Sequence, residues 1–287
     1  MLGGGARGAA QAGAIGVLLR HGLVPDFVVG ISAGSWNGAF IAQNPTAAHA
    51  LELERLWIAT TSQDIIGPRR WTAAINAVSF RPSLYSGDGL RRVAERYLED
   101  TTFEDLRVPL RIVATDLVTG QAKLFASGPL LPAVVASSAM PGIFPPVGVG
   151  ESLLVDGGIV EWAGCLAALE SGATRICLVG CGSALPRRGK QESYRHIFER
   201  SWEIGNRSNF QRTVFALRGA GVEVLAVHPR IEGASLLNFD RAPALIQAGR
   251  AAAEQAVAEW KRLQEERSRV ESRAEAASLP APRAQGA

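Results

Sequence analysis

Short apolar, β-branched runs alternate along the chain with longer stretches of helical periodicity. Phe27-Val28-Val29, Leu110 to Thr115, Leu153-Leu154-Val155, Arg175 to Gly180 and Gly221 to Val227 read as buried strands. Ala9 to His21 is an apolar stretch closed by Gly22, and Ala33 to Gln43 is closed by Asn44-Pro45, so each predicts a helix. Thr46 to Thr61 sets Leu51, Leu53, Leu56 and Trp57 among Glu52, Glu54 and Arg55, an amphipathic helix. Asp88 to Tyr97, Leu131 to Ala139 and Leu166 to Ser171 predict further helices, and Arg195 to Arg200 a helical surface. Asp116 to Gly120 predicts a turn, with Ala122 to Phe125 returning as a hairpin partner, and Phe144-Pro145-Pro146 an extended segment. Leu245 to Val270 is a long Ala/Glu/Arg helix docked at its start. Strands alternating with helices predict an α/β layered fold with a mostly parallel sheet.

Composition narrows the function classes. At 47% hydrophobic and 20% charged over 287 residues, the chain has material for one large domain with a sizeable core. A net charge of +3 gives no argument for a nucleic-acid partner. Cys165, Cys177 and Cys181 are too few and odd in number for a disulfide framework, and no Cys/His spacing resembles a metal site. Met1-Leu2-Gly3 lacks the basic start of a signal peptide. The long uncharged run Gly128 to Gly150 holds five prolines, so it cannot be one spanning helix. The expectation is a cytoplasmic protein, at most peripheral to a membrane. The aromatic and basic stretch Gly67 to Pro82, with Arg69, Arg70, Trp71 and Phe80, suits either a lid touching a lipid surface or a core excursion with solvated arginines.

Two glycine-rich stretches carry candidate chemistry. Gly30-Ile31-Ser32-Ala33-Gly34 lies between a predicted strand and a predicted helix, the context of a nucleophile elbow. Gly30 and Gly34 leave room for the tight turn, and Ser32 would sit at a helix N-terminus, where free N–H groups favour developing negative charge. Gly3-Gly4-Gly5-Ala6-Arg7-Gly8 precedes another helix and exposes amide donors to an anion. It satisfies a dinucleotide fingerprint formally, but only Met1 and Leu2 precede it, and Asp26 opens the second strand instead of ending it. The alternative use is an oxyanion hole for the acyl chemistry of Ser32. Either the first strand is very short or native residues are missing before it.

A serine needs a base within reach. The four histidines are His21, His49, His196 and His228, and Asp156 followed by His196 or His228 satisfies the order Ser, acid, His. The elbow comes too early in the chain for an α/β-hydrolase, the fold in which that order occurs, however. Asp156 ends an apolar strand and is followed by Gly157 and Gly158, so it can meet Ser32 at the carboxyl ends of the strands, where burial would raise its pKa.

Taken together, Gly3 to Gly8, Gly30-Ile31-Ser32-Ala33-Gly34, Ala136-Ser137-Ser138-Ala139-Met140-Pro141 running to Pro146, and Asp156-Gly157-Gly158 resemble the patatin-like phospholipase family over residues 2–232. The resemblance implies a three-layer α/β/α fold and hydrolysis of lipid acyl esters by a Ser32–Asp156 dyad, without histidine, metal or cofactor. It implies an oxyanion hole and supporting loop from Gly3, Gly4, Gly5, Arg7, Gly8 and Ala33, with Arg7 ordering the loop. The substrate would be a lipid or small carboxylester, with transient contact to a membrane surface. Trp162 and Gly164 stand where the family often has Asn and Pro. The expected division is a catalytic domain over 1–235, a helical extension over 236–275 and a disordered tail over 276–287. The competing readings are a catalytically silent lipid-binding or interaction protein of the same fold, and a dinucleotide-binding protein using Gly3 to Gly8.

Overall fold

β1 (Val28–Ile31) runs directly into α2 (Ala33–Gln43), and β2 (Leu110–Asp116) pairs with β1 in parallel, Val28 opposite Leu110 and Ile31 opposite Val113. The computed structural model describes residues 1–67, 83–98, 101–160, 162–182, 194–231 and 233–278. The two-residue alternation of these strands sorts their side chains between two helical layers. Val28, Leu110 and Ile112 pack with Ala39 and Ala42 of α2 and with Leu130, Ala133 and Val134 of α6 (Leu130–Ser137). On the opposite face, Ile31 and Val113 pack with Phe210 of α8 (Tyr194–Gly219). There Gly164 of α7 (Trp162–Glu170) brings its backbone against Ile31 and Val29, where an added Cβ would lie 3.2 Å from each side chain.

The sheet is mixed. β3 (Ala122–Phe125) returns antiparallel along β2 after the Asp116–Gly120 turn. β5 (Ser152–Asp156) also pairs antiparallel with β2, setting Ala114 opposite Asp156, and β4 (Val147–Val149) hairpins onto β5. β6 (Arg175–Val179) and β7 (Glu223–Val227) form a parallel pair. The expectation of a mostly parallel sheet thus holds for β1, β2, β6 and β7, while β3, β4 and β5 run the other way. Tight turns at Gly120 and Gly150, both at positive φ, allow hairpins where a parallel crossover would need a helix.

Met1 and Leu2 lie between β1 and β6. The Met1 amine donates to Val29 O at 2.8 Å, and Ile31 N–H donates to Met1 O at 3.1 Å. Leu2 N–H donates to Val179 O at 3.1 Å, so these residues bridge β1 and β6.

α1 (Gly8–Arg20) is buried along nearly its whole length between α3 (Ala47–Ala59) and α9 (Ala242–Ser278). Glycines make the α1–α9 contact possible. A Cβ on Gly13 would lie 2.2 Å from Ile246 O, and one on Gly249 would lie 1.8 Å from Ala10 O. α9 extends beyond the expected Leu245 to Val270, so residues 276–278, expected in the tail, are helical. α4 (Ser62–Ile66), not anticipated, starts at a capping box in which Thr61 and Asp64 bond each other's backbone. α5 (Asp88–Leu98) matches its amphipathic pattern. Residues 68–82 of the stretch expected as either a lid or a core excursion lie outside the described residues, as does 279–287 of the tail.

Candidate functional site

Ser32 sits where β1 turns into α2, at φ 52° and ψ −125°. It is the one non-glycine residue with positive φ among those described. A serine held there stores backbone strain of order 1–3 kcal/mol that the surroundings must enforce. They do so through close approach. A Cβ on Gly30 would lie 2.6 Å from Ser35 Cα, and one on Gly34 would lie 2.4 Å from Met1 O. The turn is also tied electrostatically. Ser32 N–H donates to Ser137 Oγ at 2.9 Å, Ser137 Oγ–H donates to Val113 O at 2.6 Å, and Ser35 Oγ–H donates to Ser32 O at 2.6 Å.

Asp156 ends β5 only 1% exposed, beside Ser32, which is 4% exposed. Gly158 N–H donates to its Oδ1 at 2.8 Å. Burial raises the carboxyl from its ordinary 3.8 to about 6, against the smaller opposing pull of the Ser32 hydroxyl and the Gly158 amide. Oδ2 makes no hydrogen bond of standard geometry. A Cβ on Gly157 would strike Val113 O at 2.2 Å, so the turn after Asp156 requires glycine.

The glycine loop closes the third side. A Cβ on Gly3 would lie 3.1 Å from Ser32 Cβ. Ala6 N–H donates to Leu236 O at 2.8 Å and Arg7 N–H to Gly4 O at 3.2 Å. Among the described residues, Gly3, Gly4, Gly5 and Ala33 spend their N–H groups on no protein acceptor. Buried side chains hold the loop. Gln11, wholly buried, donates from Nε2 to Leu2 O at 2.8 Å and Val179 O at 2.9 Å, and accepts from Asn37 Nδ2 at 2.9 Å. Asn37 also donates to Gly8 O at 3.0 Å and accepts from Trp57 Nε1 at 2.7 Å. Arg7, buried, pairs with Glu203 of α8 at 3.2 Å. The glycines pack on protein: added Cβ atoms on Gly4, Gly5 and Gly8 would meet Cys181, Leu236 O and Ala33 within 2.2–2.6 Å. Asp26, which a dinucleotide fingerprint would recruit, is exposed just before β1, at the opposite end of that strand from Ser32.

Beside Ser32 opens a cavity of about 770 Å³ of empty space, partly open to solvent. Its walls include Trp36, Phe40, Leu53, Trp57, Tyr97 and Phe239, and they are almost entirely apolar. Trp36 is fixed there by donating from Nε1 to Ser138 Oγ at 2.7 Å.

The histidines stand elsewhere. His21 meets Glu254 at 2.9 Å, and His49 meets Glu52 at 2.8 Å while stacking on Phe40. His228 lies just past β7 against Phe210, and burial with Arg207 and Arg7 lowers its pKa to about 4. No hydrogen bond joins Ser32 to a histidine among the described residues, and the His196 side chain lies outside them. Ser137 and Glu203 are among the supporting residues that escaped sequence reasoning, as are Gln11 and Asn37. Ser137 was inside a recognised block, but its bond to the Ser32 amide follows only from the fold. Glu203, distant in sequence from Arg7, carried no local signal.

These features define a layered α/β protein with a strained serine at a strand–helix elbow and a buried carboxyl beside it. The chain belongs to the patatin-like phospholipase family, whose model matches residues 1–169. An NTE family protein of Mycobacterium tuberculosis, named as uncharacterized, is 28% identical over 287 residues, covering 90% of this chain and 46% of that protein. The patatin-like phospholipase domain-containing protein 6 of Homo sapiens is 29% identical over 183 residues, covering 63% of this chain and 13% of that protein. The chain thus spans less than half the length of these curated relatives. No helix among the described residues is long and apolar enough to cross a membrane.

Proposed function

We propose that the chain is a serine hydrolase of carboxylic acyl esters, with lipids as its substrate class. Ser32 Oγ attacks the ester carbonyl while Asp156 takes its proton. The amides of the Gly3–Gly8 loop and of Ala33 bind the oxyanion. The tetrahedral intermediate collapses, the C–O bond to the alcohol breaks, and the alcohol departs with the proton held by Asp156. Water then gives a proton to Asp156 and attacks the acyl-enzyme; the bond from the acyl carbon to Ser32 Oγ breaks, Asp156 returns the proton to Ser32 Oγ, and the acid is released. The observation that carries this reading is a strained serine beside a fully buried carboxyl with a pKa near 6, close to neutrality as a general base requires. The apolar cavity next to Ser32 supports an acyl chain as the bound group.

The lipid surface would meet α8. Its buried face carries Phe198 and Trp202 toward the core, and the opposite face exposes Ile197, Ile204 and Phe215. Ile197 and Phe215 stand about five turns apart on one stripe, flanked by the exposed Arg212 and Arg218. An apolar stripe edged with arginine suits an anionic bilayer surface.

A fluorophosphonate probe and p-nitrophenyl esters of rising chain length test the chemistry. Wild type should be labelled and turn over, and Ser32→Ala should do neither while keeping its circular dichroism. A folded wild type that resists the probe and cleaves no ester overturns the reading.

A further inference from the structure

We propose that Trp57 and Asn37 are positioning residues that couple the filling of the apolar cavity to the placement of the glycine loop, so that a long acyl chain raises kcat as well as lowering KM. The proposal rests on the hydrolase reading above. Trp57 belongs to both parts of the site. It lines the cavity that adjoins Ser32, stacked on Phe239 with ring planes 7° apart. The same indole presses on the end of the loop, where an added Cβ on Gly8 would lie 2.8 Å from its Cζ2 and Cη2. Ala33, whose amide is a proposed oxyanion donor, also packs there, 2.6 Å from that Cβ position.

Hydrogen bonds add a second link and fix its direction. An indole N–H can only donate, so the Asn37 oxygen faces Trp57 Nε1, at 2.7 Å. The Asn37 NH2 must then face Gly8 O, at 3.0 Å, and Gln11 Oε1, at 2.9 Å. Gln11 in turn offers its NH2 to Leu2 O and Val179 O. Turning either amide over would set N–H against N–H and oxygen against oxygen at two fully buried side chains, where a mismatch costs most. The chain from the cavity wall therefore has one arrangement. It ends on Leu2 O and Gly8 O, the carbonyls that bracket the loop. Between them lie Gly3, Gly4 and Gly5, whose amides are the proposed oxyanion donors, and their aim follows from where the two ends are held. An acyl chain lying against Trp57 restrains the indole, Asn37 with it, and so the loop. Binding energy from a remote part of the substrate then acts on the transition state as well as on affinity.

p-Nitrophenyl acetate and octanoate test this with Trp57→Phe, which keeps an aromatic wall but removes the N–H and the ring edge that meets Gly8. Wild-type kcat should rise about tenfold from acetate to octanoate, and Trp57→Phe should erase most of that rise while KM still falls with chain length. A residue that served only as cavity wall would change KM and leave the rise in kcat. A second arm needs no turnover. In the Ser32→Ala protein, dodecanoate held below aggregation should slow hydrogen exchange, relative to acetate, at Arg7 N–H, which bonds Gly4 O, and at Gly8 N–H, which bonds Gly5 O and Ala6 O. Adding Trp57→Phe should remove the slowing while dodecanoate still raises the thermal midpoint. Should Trp57→Phe fail to fold by circular dichroism, the exchange comparison in Ser32→Ala decides, and no slowing overturns the coupling. If esters are cleaved but the rise in kcat survives Trp57→Phe and loop exchange ignores dodecanoate, the coupling is wrong and the hydrolase reading survives. If no ester is cleaved while dodecanoate still slows the loop through Trp57, the hydrolase reading fails and the coupling stands.

Discussion

Asp156→Asn should make the protein more stable at neutral pH while abolishing its turnover, and the size of the gain follows from the carboxyl's environment. Burial holds the native carboxyl near pH 6 against an ordinary 3.8. Below about pH 4 it is protonated in native and unfolded chains alike, and burial costs nothing extra. Between about 4 and 6 the unfolded chain releases the proton and the native chain keeps it, so native stability falls with rising pH. Above 6 both are ionised, and the loss levels off at about 3 kcal/mol, at about 1.4 kcal/mol per pKa unit. An asparagine keeps an acceptor for Gly158 N–H and never ionises. Its advantage should therefore be absent near pH 4, grow through the window, and reach about 3 kcal/mol by pH 8.

The wild-type curve alone would mislead, because His228 works in the opposite direction over nearly the same range. Its native pKa is lowered from 6.5 to about 4, so its contribution is present above 6.5 and lost as pH falls toward 4. The two slopes oppose each other in wild type, whereas the difference between wild type and Asp156→Asn isolates the carboxyl. Urea denaturation of both proteins at intervals from pH 4 to 8 measures that difference, and a shift in Tm of roughly 5–10 °C at pH 8 accompanies it. A difference that is constant with pH, or a variant less stable than wild type at pH 8, refutes the reasoning. The same group should set the acid limb of wild-type kcat/KM. Under the proposed mechanism, activity should fall below about pH 6, because Asp156 then already holds the proton it would accept from Ser32.

Three more outcomes are expected. Ser32→Gly should abolish turnover yet raise stability by about 1–2 kcal/mol, since glycine adopts φ 52° freely; Ser32→Ala should show no such gain in the same urea titration. Gly249→Ala should lower stability by more than about 2 kcal/mol, because its Cβ would lie 1.8 Å from Ala10 O, backbone that cannot yield without parting α1 from α9. Phe215→Ser should weaken co-sedimentation with phosphatidylglycerol vesicles about tenfold, and Arg212→Gln about fivefold in low salt only, with p-nitrophenyl butyrate turnover within twofold of wild type.

The strands and the helices next to the site were legible because each is bounded by local chemistry. Ala33 to Gln43 ends at Asn44-Pro45 and matches α2 residue for residue, and the hairpin of β2 with β3 follows from the Asp116–Gly120 turn. Strand direction was not legible. Leu153-Leu154-Val155 looks the same whether its neighbour runs parallel or antiparallel, and the choice is made by the connection through Gly150. α8 runs far past the readable Arg195 to Arg200, because Ile197, Ile204 and Phe215 on its outer face blur the amphipathic pattern. Ser32 and Asp156 could be named from their flanking glycines. The reason those glycines are needed is spatial: Gly34 meets Met1 O and Gly157 meets Val113 O, contacts between distant parts of the chain.

The support for Ser32 and the burial of Asp156 arise from one arrangement. Val113 O, on β2, receives the Ser137 hydroxyl that in turn holds the Ser32 amide, and the same oxygen is the atom against which Gly157 must pack. β2 lies between β1, which delivers Ser32, and β5, which delivers Asp156, so its register sets the separation of the two side chains. Shifting β2 by one residue would turn Ile112 toward α8 and Val113 toward α2, since alternation exchanges the faces. The hydrophobic sorting that secures the three layers is therefore also what fixes the site, and the apolar packing that raises the Asp156 pKa is the packing that keeps β2 in register. Any substitution that loosens this core, even one remote from Ser32, should lower the Asp156 pKa toward 4 as water reaches the carboxyl, and shift the acid limb of the rate profile with it.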